Sequence, residues 1–156
     1  MKSIDSVQLF QKIDSVISDI KSFTLPQSAT TYLAKFLVVY ICGIYEEIIE
    51  STITEMVKNL NKNEVSNFVK KSLDKLFRNP NMDKIIELFS MFENQTWMAE
   101  LKNLSQSSKT ALNSIVENKN SLAHGQSLSM MTISDIENYY IQSKIVIEKI
   151  DDLLLQ

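Results

Sequence analysis

The only histidine of the chain, His124, closes the run Lys119-Asn120-Ser121-Leu122-Ala123-His124-Gly125. An imidazole can carry a proton to or from an oxygen near neutral pH, and an ammonium can offset charge on a phosphate. With the amide of Asn120 between them, the two make a minimal set for cutting a phosphodiester. His124 would move protons at the attacking hydroxyl or the leaving oxygen, and Lys119 would stabilise the phosphate. Such chemistry needs no metal and no other cofactor when the nucleophile is the 2′-hydroxyl of RNA. Efficient cleavage wants both an acid and a base, and a symmetric dimer can supply the second copy. The plainer reading of the same residues is a histidine that caps or packs the end of a helix.

Either reading depends on where that helix stops. On an ideal helix Asn120 and His124, four apart, share a face, whereas Lys119 is turned well away. Lys119 and His124 converge only if the helix ends there. Gly125 is the expected end, because glycine takes the left-handed conformation after a final turn without steric cost. His124 then lies at the negative end of the helix dipole, a favourable place for a cationic proton donor.

The rest of the chain reads as helices that position this stretch. Ile4, Val7, Phe10, Ile13, Val16, Ile17, Ile20 and Phe23 recur at intervals of three and four, which predicts a surface helix ended by Pro26. A second helix, started by Ser28 or Thr30, extends to about Leu60. It is apolar nearly all round from Tyr32 to Ile44 and therefore central. Gly43 inside it costs roughly 1 kcal/mol relative to alanine, so a close helix crossing or a kink is expected there.

Val65, Phe68, Val69, Leu73, Leu76 and Phe77 predict a third helix. Its outer face, with the residues flanking it, carries Lys58, Lys62, Lys70, Lys71, Lys75 and Arg78 against the two acids Glu64 and Asp74. This is a solvated face or a contact for nucleic acid. Asn79-Pro80-Asn81 reads as a turn before a fourth helix from Met82. Trp97, Met98 and Leu101 belong to a looser piece, and Ser107 or Ser108 caps a fifth helix leading into Lys119. Gln126 to Met131 form an uncharged loop. Thr132 or Ser134 starts a long last helix, Ser134 and Glu137 having the spacing of a capping box.

Composition agrees with this outline. Two Gly and two Pro among 156 residues are too few for the many turns of a sandwich or barrel. An apolar share of 44% with 22% charged residues predicts one globular domain, residues 1–156, rather than a disordered chain. The expected fold is an all-α helical bundle of about five to six helices, with two long early helices and a long C-terminal one. A net charge of −3 gives no overall attraction for polyanions, so any such contact must be local. The single cysteine, Cys42, cannot form an intrachain disulfide. Together with a first helix that begins at once, in place of a signal peptide, this points to the cytoplasm. The longest apolar run, Phe36 to Tyr45, falls short of the roughly 20 residues that span a bilayer.

The segment Lys119 to Gly125 resembles the signature of the HEPN superfamily, in which an arginine followed by a polar residue precedes a histidine by a short fixed spacing. Leu122-Ala123-His124-Gly125 is its most specific part. The layout is similar too: a helical bundle, two long early helices, the motif late and a long closing helix. Tyr45-Glu46 resembles an acidic position that many members place near the motif, although Glu47 and Glu50 are adjacent candidates. The style is that of the small prokaryotic branch associated with toxin–antitoxin and phage-defence loci. The resemblance implies a metal-independent ribonuclease that acts as a homodimer on RNA, with an antitoxin or defence-system partner. In it His124 is the acid or base, Lys119 stands at the arginine, Asn120 holds the polar position and Glu46 orients the cation. A catalytically silent module that binds RNA, nucleotide or a protein partner is the alternative. Lysine in place of arginine favours the alternative, since one mobile charge replaces a planar fork.

Overall fold

The computed structural model describes residues 1–125 and 131–156. The loop expected from Gln126 lies outside the described residues as far as Met130. Among those described, seven helices and no strand are present: α1 (Ile4–Ser22), α2 (Gln27–Lys58), α3 (Asn63–Leu76), α4 (Met82–Ser90), α5 (Gln95–Lys102), α6 (Gln106–Ala123) and α7 (Ile133–Leu154). The all-α bundle is as expected, with one helix more than the upper estimate. The extra one is α5, the stretch read as a loose piece. Asn94 caps it by accepting from the Trp97 N–H at 3.1 Å. Trp97 then sets its ring edge-on to Phe89 and Phe92, at centroid distances of 6.1 and 5.7 Å, a geometry that adds to simple area burial.

Helix α2 is the centre of the bundle, as its all-round apolar composition requires, and α1, α3, α6 and α7 pack around it. Leu37, Ile41, Ile48 and Ile49 are fully enclosed, and each such side chain contributes on the order of 1.5–3 kcal/mol. Polar contacts set the register between helices. Ser6 meets Thr52 at 3.3 Å and the Phe10 ring meets Tyr45, so α1 and α2 run antiparallel. The buried Tyr45 hydroxyl reaches Ser143 of α7 at 2.7 Å, and the Tyr140 hydroxyl donates to Asp14 of α1 at 2.6 Å. At the far end of α7 the buried Asp151 carboxylate accepts from the backbone N–H groups of Lys2 and Ser3. The N-terminal ammonium pairs with Asp152 at 2.9 Å. Helix α7 is thereby tied to α1 along its length, and α6 packs against α7.

Several local expectations shift. Ile4 and Val7 of the first stripe are exposed, because the start of α1 buries Ser3 and Ser6 against Asp151 and Thr52 instead, and Phe23, past the last turn of α1, is exposed too. Helix α2 begins directly after Pro26, with Ser28 and Thr30 inside its first turn and no side-chain cap. The cap of α6 is Ser105, whose hydroxyl accepts from the Ser108 N–H at 3.2 Å, rather than Ser107 or Ser108. The capping box of α7 is formed by Thr132 and Asp135, not by Ser134 and Glu137. Glu137 is engaged by Lys21 of α1 at 2.7 Å. Gly43 lies on the exposed side of an uninterrupted α2, and a methyl group placed on it would meet nothing within 4 Å. No crossing within the described chain accounts for it. Leu73 of α3 and Phe77 just past its end reach the core, while Val65, Phe68 and Leu76 stay at the surface.

Candidate functional site

Helix α6 ends where the glycine predicts. Its last helical residue is Ala123, His124 is the capping residue, and Gly125 has φ +71°. The His124 N–H donates to the Asn120 carbonyl at 3.1 Å, and the Gly125 N–H donates to the Leu122 carbonyl at 3.0 Å. These two bonds satisfy carbonyls that the last turn would otherwise leave open. His124 thus caps the helix through its backbone alone. Its imidazole is exposed and free of the core. The capping and chemical readings are compatible, since they use different atoms of the residue.

Lys119 lies nearly one and a half turns earlier, about 7.5 Å along the helix axis and about 140° around it from His124. It is half-buried, and its Nζ donates to the Asn79 side-chain oxygen at 2.5 Å. Asn79 in turn offers its backbone N–H to Glu46 Oε1 at 2.8 Å. Glu46 of α2 therefore reaches Lys119 through Asn79 and not directly. Its neighbours on α2 have other positions: Glu47 is exposed, and Glu50 takes the Arg78 guanidinium at 2.9 Å. Burial pushes the Glu50 carboxyl above its ordinary value, and Arg78 partly opposes that.

The connector between α3 and α4 is consequently clasped from both sides. Glu46 and Glu50 hold it from α2; from α6, Lys119 holds Asn79, and the Asn113 side-chain oxygen accepts from the Met82 N–H at 2.9 Å. Asn79 itself sits at φ +57°, a left-handed conformation that asparagine adopts more readily than most residues. The sequence shows Asn79-Pro80-Asn81 as a turn, and nothing local marks Asn79 as the partner of a lysine 40 residues away. The available hint was the type of residue, since an amide in a tight turn has an oxygen free to accept.

Beneath the clasp lies Cys42. Burial, helped by the nearby Glu46 carboxylate and opposed by Lys119, pushes its thiol up to about 12. A thiol so placed is protonated at neutral pH and serves as floor rather than nucleophile. Asn120 is half-buried and shares a face of α6 with His124. The structure thus joins Glu46, Asn79 and Lys119 in one hydrogen-bonded chain, and sets His124 with Asn120 on another face of α6 at its exposed end, without a contact between His124 and Lys119.

Among the described residues, no group of three or more His, Cys, Asp or Glu side chains is arranged to hold a metal ion. No helix among them is long and apolar enough to cross a membrane. A cleft of about 640 Å³ lies elsewhere, with Lys2, Asp5, Glu50, Lys58 and Lys70 in its walls. Those walls mix both signs of charge and carry no residue of the Lys119 motif.

No curated protein and no solved structure matches the chain significantly. The family described as RiboL-PSP-HEPN matches it over residues 2–156, and with the helical bundle and the Lys119–Gly125 stretch at the end of α6 already in place, the chain belongs to that HEPN-type family.

Proposed function

We propose that this protein is a metal-independent endoribonuclease that works as a homodimer, in a toxin–antitoxin or phage-defence setting with an antitoxin or defence-system partner. The observation that carries the reading is the exposed imidazole of His124 at the end of α6, five residues after a lysine whose ammonium is directed by Asn79.

In this reaction the ribose 2′-oxygen attacks the adjacent phosphorus as the bond from phosphorus to the 5′-oxygen breaks. The products are a 2′,3′-cyclic phosphate and a 5′-hydroxyl. One His124 takes the 2′-hydroxyl proton, and the His124 of a second copy gives a proton to the leaving oxygen. Lys119 stabilises the added negative charge on the phosphate. An ammonium has three donors. Asn79 occupies one of them, which leaves two for phosphate oxygens and limits the wandering of a long, flexible side chain. Glu46 is a positioning residue in this scheme, because it holds the Asn79 backbone and touches no substrate. Asn120 orients the scissile phosphate from the face it shares with His124.

The second reading, a silent module that binds RNA, nucleotide or a protein partner, is favoured by one feature: Lys119 is already engaged and offers no guanidinium fork. Incubating end-labelled RNA with the purified protein in excess chelator separates the two. The nuclease reading expects cyclic phosphate ends that vanish with His124→Ala. Persistence of those ends in His124→Ala would remove His124 from the mechanism. RNA binding that weakens steeply with salt, without any cut, would establish the silent module.

A further inference from the structure

Helix α2 presents to solvent a stripe that the described residues of its own bundle do not cover. Tyr32, Phe36, Val39 and Gly43 recur at intervals of four, three and four, which keeps them on one face. Their exposures are 71% for Tyr32, 49% for Phe36 and 46% for Val39. Large side chains left this open in succession on the central helix of a bundle are unusual, since a helix apolar on every side is ordinarily enclosed.

Gly43 supplies a second, independent observation. A mid-helix glycine lowers helix propensity and needs a compensating reason. Within the described residues there is none: its φ is ordinary for a helix, and the space above its Cα is open. A glycine in that place makes a notch in an otherwise bulky stripe. Such a notch serves the close approach of another helix.

We infer that this face of α2 is where two copies of the chain meet, antiparallel about a two-fold axis, with Val39 of each seated in the notch at the partner's Gly43. The inference rests on the dimeric reading above and names its surface. The stripe is self-complementary in the way a two-fold axis demands. An axis midway between Val39 and Gly43 also brings Lys35 level with the partner's acidic pair Glu46 and Glu47, once at each end of the contact. Lys35 already lies over the stripe, its Nζ 5.5 Å from the centre of the Tyr32 ring, and Glu47 is exposed. Opposite charges flanking an apolar centre fix both direction and register. Glu46 borders the stripe one turn beyond Gly43, so the clasp of each protomer flanks the same contact.

The test uses the intact protein and sedimentation equilibrium. Wild type is expected at twice the chain mass of 17.9 kDa. Gly43→Leu adds bulk where nothing in the described chain obstructs it and raises helix propensity, so its thermal melting is expected to be unchanged or higher. It should nevertheless sediment as a monomer. Lys35→Glu and Glu47→Lys should each weaken the dimer by about tenfold, and the double exchange should restore it. A wild-type dimer that survives Gly43→Leu and both charge reversals overturns the inference while leaving the dimeric reading intact. A wild-type protein that stays monomeric at high micromolar concentration overturns both. In that case the stripe is covered by RNA or by another part of the chain.

Discussion

The Lys119 ammonium donates to the side-chain oxygen of Asn79 at 2.5 Å, across 40 residues of chain. The turn between α3 and α4 is therefore part of the candidate site, and it gives a lysine part of the fixed direction that an arginine fork would have by itself.

Releasing that lysine should cost turnover more than affinity. Asn79→Gly keeps the left-handed turn, since glycine takes φ near +57° without strain, but removes the acceptor. A fall in kcat of about tenfold with KM nearly unchanged is expected from the loss of a contact that matters most as charge develops. Stability should change by less than about 1 kcal/mol. Equal losses in binding and turnover would mean that Asn79 only holds the turn together.

Lys119→Arg offers a direct comparison between point charge and fork. Cleavage should be retained or raised several-fold, whereas Lys119→Ala should lose about 10²-fold or more. Single-turnover assays on a short RNA would read both. Inactive Lys119→Arg would show that Asn79 accepts only the slimmer cation.

Because the His124 imidazole is exposed and the capping bonds use its backbone, His124→Ala should separate chemistry from folding. Its unfolding free energy should stay within about 0.5 kcal/mol of wild type. Its cleavage rate should fall by about 10²–10⁴-fold. Gly125→Ala reverses the pattern, costing about 1 kcal/mol in urea unfolding through strain at φ +71°.

Acid sensitivity is expected at the start of α7. The Asp135 carboxyl is held below its ordinary value of 3.8, first by the Thr132 backbone N–H and then by the Thr132 hydroxyl. A carboxyl lowered by folding binds its proton less readily in the folded state than in the unfolded one. Its stabilising contribution is thus fully present above the unfolded value and is lost as pH falls through the folded one. Urea midpoints between pH 7 and pH 3 should fall less steeply for Asp135→Asn than for wild type. Parallel curves would show that the box carries no such share.

Cys42 provides a check on the packing beneath the site. With its thiol pushed up to about 12, roughly one group in ten thousand is ionised at pH 8. The folded protein should react with a disulfide reagent far more slowly than the urea-unfolded chain. Prompt labelling in native buffer would mean that the clasp over Cys42 opens readily.

What could be read without the structure was whatever depends on neighbours along the chain. Intervals of three and four mark α1, α2, α3, α6 and α7, because one face of a helix must be apolar to be buried. Gly125 marks the end of α6, because only a residue without Cβ reaches φ +71° at no cost. Contacts between distant elements decided the rest. Ser105 and Thr132 cap helices where Ser108 and Ser134 were equally good by type, since the chain's path between helices selects which residue turns first. Glu46 stands out from Glu47 and Glu50 only because the α3–α4 turn comes to rest on it. Asn79 and Lys119 are joined because three separate helices pack at one place. A hydrogen bond between side chains 40 residues apart leaves no periodic trace in either segment.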